Sequence, residues 1–131
     1  MARYRENIPL YGIDVQYVSD EIAKYMQYSG FAFADYKGQG LWVKPVRDKY
    51  RPVPGAPPIR VHIAFYLSQD HIVLEAFVLW KMLLTLDSPE YGLDAGIMGI
   101  VPKSVLKDHI NQVRGFIFNL LQNATYNMGG K

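Results

Sequence analysis

A chain of 131 residues is long enough to bury roughly two-thirds of its unfolded surface within one domain. Half of the residues are hydrophobic and a fifth are charged, a balance too apolar for intrinsic disorder, and a formal net charge of +2 gives no reason by itself to expect a nucleic-acid or membrane partner. The chain has no cysteine, which excludes disulfides, thiol catalysis and cysteine-ligated zinc.

Residues 1–13 are predicted to be a lead-in to the fold. Their basic start is not followed by an apolar run, so they do not have the pattern of a signal peptide. The longest apolar stretch, residues 76–84, is interrupted by Lys81 and is far shorter than the roughly 20 residues that a membrane span needs. We therefore expect a cytoplasmic protein without a membrane partner.

A first helix is predicted from Val15 to Ser29, because apolar side chains recur there at helical spacing and polar ones lie on the other faces. Asp14 is suited to cap the start of this helix, since its carboxylate can accept a hydrogen bond from a free backbone N–H group. Gly30 can end the helix in a left-handed conformation.

Two short strands are predicted next, at residues 31–36 and 41–46. The turn between them, residues 37–40, has glycines flanking a polar residue, which is typical of a hairpin. Residues 47–58 are rich in proline, which lacks the donor that a central strand needs, and they are predicted to be an exposed loop.

The clearest local pattern is a pair of apolar segments, residues 59–67 and 72–81. If the turn is centred on Gln69 and Asp70, the residue numbers of each opposed pair add up to 139. One face of the hairpin is then entirely apolar. The pairs on that face are Leu67 with Ile72, Phe65 with Leu74, Ile63 with Ala76, Val61 with Val78, and Ile59 with Trp80. Because a shift of one residue would put polar groups on both faces, the pattern predicts the hairpin and its register together.

A glycine-containing connection, residues 85–101, leads to a second helix predicted over residues 103–122. A stripe of apolar residues supports this helix, and Gly115 within it is interpreted as a point of close approach to the sheet. Residues 124–131 are predicted to be a flexible tail. The whole chain is thus expected to be one α+β domain, in which a four-stranded antiparallel meander carries both helices on one face.

The chain also resembles a family, the domain that follows the zinc ribbon in many small bacterial zinc-ribbon proteins of unknown function. The resemblance covers roughly residues 15–121. It is carried by Tyr17-Val18, Tyr25-Met26, Gly30-Phe31, Trp42 with Lys44, Gly92-Leu93-Asp94, Gly99, Pro102-Lys103 and Leu106-Lys107-Asp108. The chain departs from the family in having no cysteine, and Ile97-Met98 stand where such domains carry aromatic residues. The resemblance implies an α+β fold and supplies no catalytic residue.

The sheet face away from the helices is the first candidate for function. The register leaves large apolar side chains on it, and an exposed apolar patch usually marks an interaction surface. The residues assigned to this surface are Trp42, Tyr66, Phe77 and Leu79, with Arg60 and His62 as a polar rim. We therefore expect a non-enzymatic module that self-associates or binds a protein partner, through this face or along an edge strand. The alternative is that residues 46–58 fold back and cover the face.

A second candidate is the glycine-rich segment before the second helix, because glycines ahead of a helix can present backbone N–H groups to an anion. Its residues are Gly92, Gly96, Gly99, Lys103 and Ser104. The lysine does not follow the last glycine directly, as it does in a phosphate-binding loop, and Pro102 removes one donor. A small or anionic ligand near this segment is the alternative function.

Nucleic-acid binding is a third possibility, since basic residues occur beside aromatic ones in the middle of the chain. The basic residues are Lys37, Lys44, Arg47, Lys49, Arg51 and Arg60. The balanced overall charge argues against it. The three histidines are too scattered to predict a metal site, and no nucleophile, base and orienting group occur together. The sequence thus predicts neither an enzyme nor a cofactor.

Overall fold

A computed structural model describes residues 3–46, 59–79, 90–92 and 100–129, with side chains for all of these except 91, 100–102 and 125–129. The described part of the chain is α+β. Its elements follow in the order β1 (Tyr4–Pro9), α1 (Val15–Tyr28), β2 (Ala32–Tyr36), β3 (Gln39–Val46), β4 (Ile59–Leu67), β5 (His71–Leu79), β6 (Glu90–Tyr91) and α2 (Ile100–Gly129).

The sheet is antiparallel, with the strand order β1-β5-β4-β3-β2, and the two-residue β6 also pairs with β5. The predicted meander is present as β2 to β5, but the expected count of four strands is wrong. Residues 4–9 are not a lead-in, because they form β1 and extend the sheet beside β5. Ile8, at 1% exposed, pairs there with Ile72 and fixes this strand to the core.

The register of the β4–β5 hairpin is the predicted one. Ile63 lies opposite Ala76, and Phe65 lies opposite Leu74. The apolar face predicted for this hairpin forms the centre of the core, in which Ile63 and Leu74 have no exposed surface. The pair of Ile59 with Trp80 involves a residue outside the described part of the chain.

Local sequence signals set the ends of the first elements. The Asp14 carboxylate accepts a hydrogen bond from the Gln16 amide, as expected of an N-cap. Gly30 has a φ of 93°, and the Phe31 amide donates to the Met26 carbonyl at 2.9 Å, which closes the helix in a Schellman motif. Between β2 and β3, positive φ angles at Lys37 and Gly38 give the two-residue turn that matches the twist of paired strands.

Helix α2 is longer than predicted. It begins at Ile100 and continues through Gly129, so most of the segment expected to be a flexible tail is helical. Its buried stripe includes Leu106, Ile110 and Ile117, in agreement with the sequence pattern. Gly115 is exposed, and a Cβ atom added there would meet nothing within 4 Å. The interpretation of Gly115 as a point of close approach is therefore wrong.

Both helices pack on one face of the sheet, where buried residues of α1, α2 and the strands form a single hydrophobic cluster. The helices also touch each other, and the rings of Tyr25 and Phe116 stack with their centroids 4.1 Å apart. We call this side of the sheet the inner face and the opposite side the outer face. In the part of the chain that the structure describes, no helix is long and apolar enough to cross a membrane.

Candidate functional site

The outer face carries five of the six residues assigned to the interaction surface. They lie on β4 and β5, where His62 pairs with Phe77, Arg60 pairs with Leu79, and Tyr66 pairs with Val73. Trp42 is the exception. It pairs with Ile63 and packs against the hydrophobic cluster of the inner face, so its placement on the outer face is wrong.

The apolar centre of the outer face is buried rather than exposed. Phe77 is 1% exposed, Leu79 is 8% exposed and His62 is 3% exposed, and with Leu41 and Ala64 the first two form a second, smaller hydrophobic cluster. The expected apolar patch on this face is therefore absent from the described surface. Of the assigned residues on this face, only Arg60 and Tyr66 are exposed.

Arg3 explains much of this burial. The central carbon of its guanidinium lies 4.1 Å from the centroid of the Phe77 ring, a distance typical of a cation–π contact. The ring of His62 is nearly parallel to that of Phe77, with their centroids 4.9 Å apart, and the ring of Tyr36 lies 5.4 Å from it. A guanidinium, an imidazole and a tilted tyrosine ring thus cover an aromatic side chain that the sequence pattern left facing water.

The guanidinium of Arg3 is also held at its edges. Its Nε and Nη2 atoms donate to the two carboxylate oxygens of Glu90 at 2.8 and 2.9 Å, which is the bidentate geometry of a strong arginine–carboxylate pair. Its Nη1 atom donates to Glu75 at 2.8 Å and to the side-chain oxygen of Gln39 at 2.7 Å. Four hydrogen bonds therefore fix one side chain that is 25% exposed.

Glu75 joins this arrangement to its neighbours. Its carboxylate also accepts hydrogen bonds from Arg5 and Gln39, and the side chain is 4% exposed. Gln39 in turn contacts the hydroxyl of Tyr66, and the Tyr36 hydroxyl donates to Glu90 at 3.0 Å. A carboxylate buried in the centre of a sheet needs such partners, because an unpaired charge there would cost several kcal/mol.

The ionisation of these groups follows from their contacts. The hydrogen bond from Arg3 keeps the pKa of Glu90 below its ordinary value. Burial alone would raise the pKa of Glu75, but the hydrogen bonds from Arg5, Arg3 and Gln39 outweigh burial, and the pKa is lowered. Burial lowers the pKa of His62 to about 4, although its ring nitrogen lies near the Arg60 carbonyl.

These directions decide what the outer face can do chemically. Both carboxylates are ionised and already paired with arginine, so neither is available as a general base. His62 is neutral at pH 7 and packs flat against an apolar ring. The arrangement binds a guanidinium and does not resemble an acid–base site.

The larger exposed apolar surface lies on the inner face, at the edge strand β2. Phe33 is 64% exposed and meets the Trp42 ring edge-on, with the centroids 5.2 Å apart. Beside these rings is a cavity of about 200 Å³ between α1 and the sheet, lined by Ser19, Ile22, Ala23, Phe33, Gly40, Trp42, Phe65 and Leu67. Gly40 makes room for the phenyl ring, since a Cβ atom at this position would lie 2.8 Å from Phe33 Cζ.

The other candidate sites gain little from the structure. Gly92 is buried, whereas Lys103 and Ser104 are exposed in the first turn of α2. Gly96 and Gly99 lie outside the described residues, so the anion site stays a prediction.

The basic residues proposed for nucleic-acid binding do not share one surface. Lys44 lies opposite Val61 of the inner face, whereas Arg60 pairs with Leu79 of the outer face. Arg47, Lys49 and Arg51 lie outside the described residues.

Comparison with known proteins adds no identity. No family model, curated protein or solved structure matches this chain. The resemblance to domains of zinc-ribbon proteins therefore stays a prediction.

Sequence reasoning missed the residues that organise the outer face, above all Arg3 and Glu90. One signal could have pointed to them. Glu75 stands in the middle of an otherwise apolar strand, and a carboxylate in that position needs a cation from a neighbouring strand. Arg3 and Arg5 alternate in the way that a strand would present two cations on one face.

Proposed function

We propose that this domain is a protein-interaction module that self-associates through β2, with two copies paired antiparallel so that the sheet continues from one to the other. The observation that carries the proposal is the exposure of Phe33 on an edge strand. The outer face, where the sequence suggested the interface, has its apolar centre buried. The sequence also suggested self-association along an edge strand, and the edge strand β2 exposes the apolar ring of Phe33.

The position of β2 supports this proposal. It is the last strand in the sheet order, and among the described strands it pairs only with β3. Four of its five residues are exposed. An edge strand of this kind offers unpaired backbone donors and acceptors to another chain, and proteins usually protect it with charged side chains, proline or a bulge. In β2 the one charged residue is Asp35, and the exposed residue before Ala34 is a phenylalanine.

The side chains favour one register. If the two-fold axis passes through Phe33, the two Phe33 rings lie opposite each other, and Ala32 of one copy faces Ala34 of the other. If the axis passes through Ala34, Phe33 faces the carboxylate of Asp35. Opposed apolar side chains stabilise antiparallel pairs, so we expect the axis at Phe33.

The expected affinity is modest. A fully exposed phenyl side chain has an area of about 200 Å², so Phe33 at 64% exposed leaves about 130 Å² to bury in each copy. Burying two such surfaces contributes about 6 kcal/mol, and about four backbone hydrogen bonds between the paired strands add about 1 kcal/mol each. Association costs of about 4 to 6 kcal/mol leave about 4 to 6 kcal/mol, so we expect a dissociation constant between about 40 µM and 1 mM.

Sedimentation velocity over about 10 µM to 1 mM (the range set by the affinity expected above) tests the proposal. The wild-type chain should dimerise, Phe33→Asp should be a folded monomer, and Phe118→Asp should dimerise like the wild type. Phe118 is the matched control, because it is an aromatic residue 43% exposed on α2. The dimer should persist or tighten at high salt, whereas nucleic-acid binding would weaken steeply. A wild-type monomer at the highest concentration would exclude this interface.

Engineered cysteines test the register, since the chain has none of its own. Chains carrying Ala32→Cys should form a disulfide with chains carrying Ala34→Cys more readily than either does alone, because residues opposite each other in a sheet approach disulfide distance. Preferential crosslinking of Ala34→Cys with itself would place the axis at Ala34 instead.

A further inference from the structure

The outer face recognises one guanidinium in unusual detail. We call the surrounding residues Gln39, Glu75, Phe77 and Glu90 the guanidinium slot. Glu90 binds the Nε and Nη2 edge of Arg3, Glu75 and Gln39 bind the Nη1 end, and Phe77 supports the flat face. A planar fork fits these partners, whereas the compact ammonium of a lysine could not meet them together.

The segment that fills the guanidinium slot lies at an edge of the sheet. Arg3 directly precedes β1, which in the described part of the chain pairs only with β5. The connection from β1 to α1 is short and passes through two left-handed residues, Tyr11 with a φ of 53° and Gly12 with a φ of 81°. Because tyrosine seldom adopts this conformation, the connection that holds β1 in place is strained.

We propose that the guanidinium slot is a binding site for an arginine carried on an extended protein segment, and that Arg3 is its occupant within the chain. A partner segment would pair with β5 in place of β1, by addition of a strand to the sheet. The segment would carry an arginine that lies over Phe77, and two positions later a second basic residue that pairs with Glu75. Five positions after the arginine it would carry an apolar residue, which takes the place of Ile8 against Ile72.

The slot itself is tested by chemical rescue of the full chain carrying Arg3→Ala and Phe33→Asp, the latter to remove pairing through β2. Ethylguanidinium at about 20 mM should raise the melting temperature of this variant by about 2 to 4 °C. The same concentration of ethylammonium should not, and adding Glu90→Gln should abolish the gain. Equal shifts with both cations, or no shift, would overturn the proposal.

A variant that keeps the charge guards against poor folding of Arg3→Ala. Arg3→Lys should fold and should melt below the wild type, because lysine lacks the fork that Glu90 binds. An unchanged melting temperature would show that the slot does not select a guanidinium, and would overturn the proposal.

The strand is tested with a labelled peptide of residues 3–10 added to the Arg3→Ala, Phe33→Asp chain. Fluorescence anisotropy should show that this peptide binds at least tenfold more tightly than a control peptide in which alanine replaces the first arginine, the one that corresponds to Arg3. The control peptide cannot form the charge-assisted hydrogen bonds of that arginine. Equal binding of the two peptides, or none, would overturn recognition of an arginine on an extended segment. Because β2 is disabled in this chain, the result is independent of the proposed dimer.

Discussion

Mild acid is expected to destabilise this protein through His62. The imidazole is 3% exposed, and burial lowers its pKa to about 4 from an ordinary value of 6.5. Tyr36 and Phe77 flank the ring, and the charged side chains that influence it are Arg60, Glu90 and Arg3. Protonation in the folded state would place a cation between apolar rings, so the folded protein resists it.

The sign and size follow from linkage. Between pH 6.5 and pH 4 the unfolded chain binds a proton that the folded chain does not, so the free energy of unfolding falls as the pH is lowered through this range. Lowering the pH from 7 to 5 should remove about 2 kcal/mol for a shift of this size. His109 adds to the loss in the same direction, because burial lowers its pKa too.

Glu75 and Glu90 titrate in a different range. The pKa of each is lowered in the folded state, so their contribution is complete above the ordinary carboxyl pKa and is lost as the pH falls below it. A measurement from pH 7 to pH 5 therefore separates the histidine effect from theirs.

Urea unfolding at several pH values between 7 and 5 measures the effect. In the His62→Phe variant the new phenyl ring can still stack on Phe77. The decrease in the free energy of unfolding between pH 7 and pH 5 should then be smaller, because only the contribution of His109 remains. His71→Gln is the control, because His71 is exposed at the hairpin turn, and this variant should keep the wild-type slope. A His62→Phe protein that loses as much stability as the wild type would refute the reasoning.

Two further comparisons test the fold by urea unfolding at pH 7. Arg3→Ala should lower the free energy of unfolding by about 2 kcal/mol or more, because it leaves Glu75 and Glu90 short of a charged partner. Arg5→Ala should lower it much less, since the Arg5 side chain is 68% exposed. Equal losses in the two variants would contradict this expectation. Gly115→Ala should stabilise α2 by about 0.5 to 1 kcal/mol. Gly30→Ala should destabilise the protein by about 1 kcal/mol or more, because φ at Gly30 is 93°, and a gain there would contradict the assigned helix end.

The sequence was most informative where neighbouring strands face each other across a short turn. The β4–β5 register could be predicted because a shift of one residue would have moved charged groups such as Glu75 onto the entirely apolar inner face. Helix α1 was equally predictable, since Asp14 and Gly30 provide a local signal at each end. In both cases the deciding interactions join residues close in sequence.

Strand β1 could not be predicted in the same way. Only one of its six residues, Ile8, has a strongly apolar side chain, and this side chain is buried. Several of the other residues are charged or polar. The strand is fixed by β5, about seventy residues away in the chain, and by the ion pairs of Arg3 and Arg5 with Glu75. Trp42 was misplaced for a related reason. Its face depends on the pairing of β3 with β4, and the number of residues between these strands does not set that register.

The missed strand changes the meaning of the pattern on the outer face. Apolar residues such as Phe77 and Leu79 were expected to need a second protein, because an exposed apolar patch seldom persists in a monomer. A guanidinium covers an aromatic face equally well when carboxylates neutralise its charge at the edges, and Arg3 does this from within the chain. The argument for an interface therefore moves from the outer face to the exposed Phe33 on β2, which lies at the edge of the described sheet, and if this edge proves inert, buried Phe77 offers no substitute.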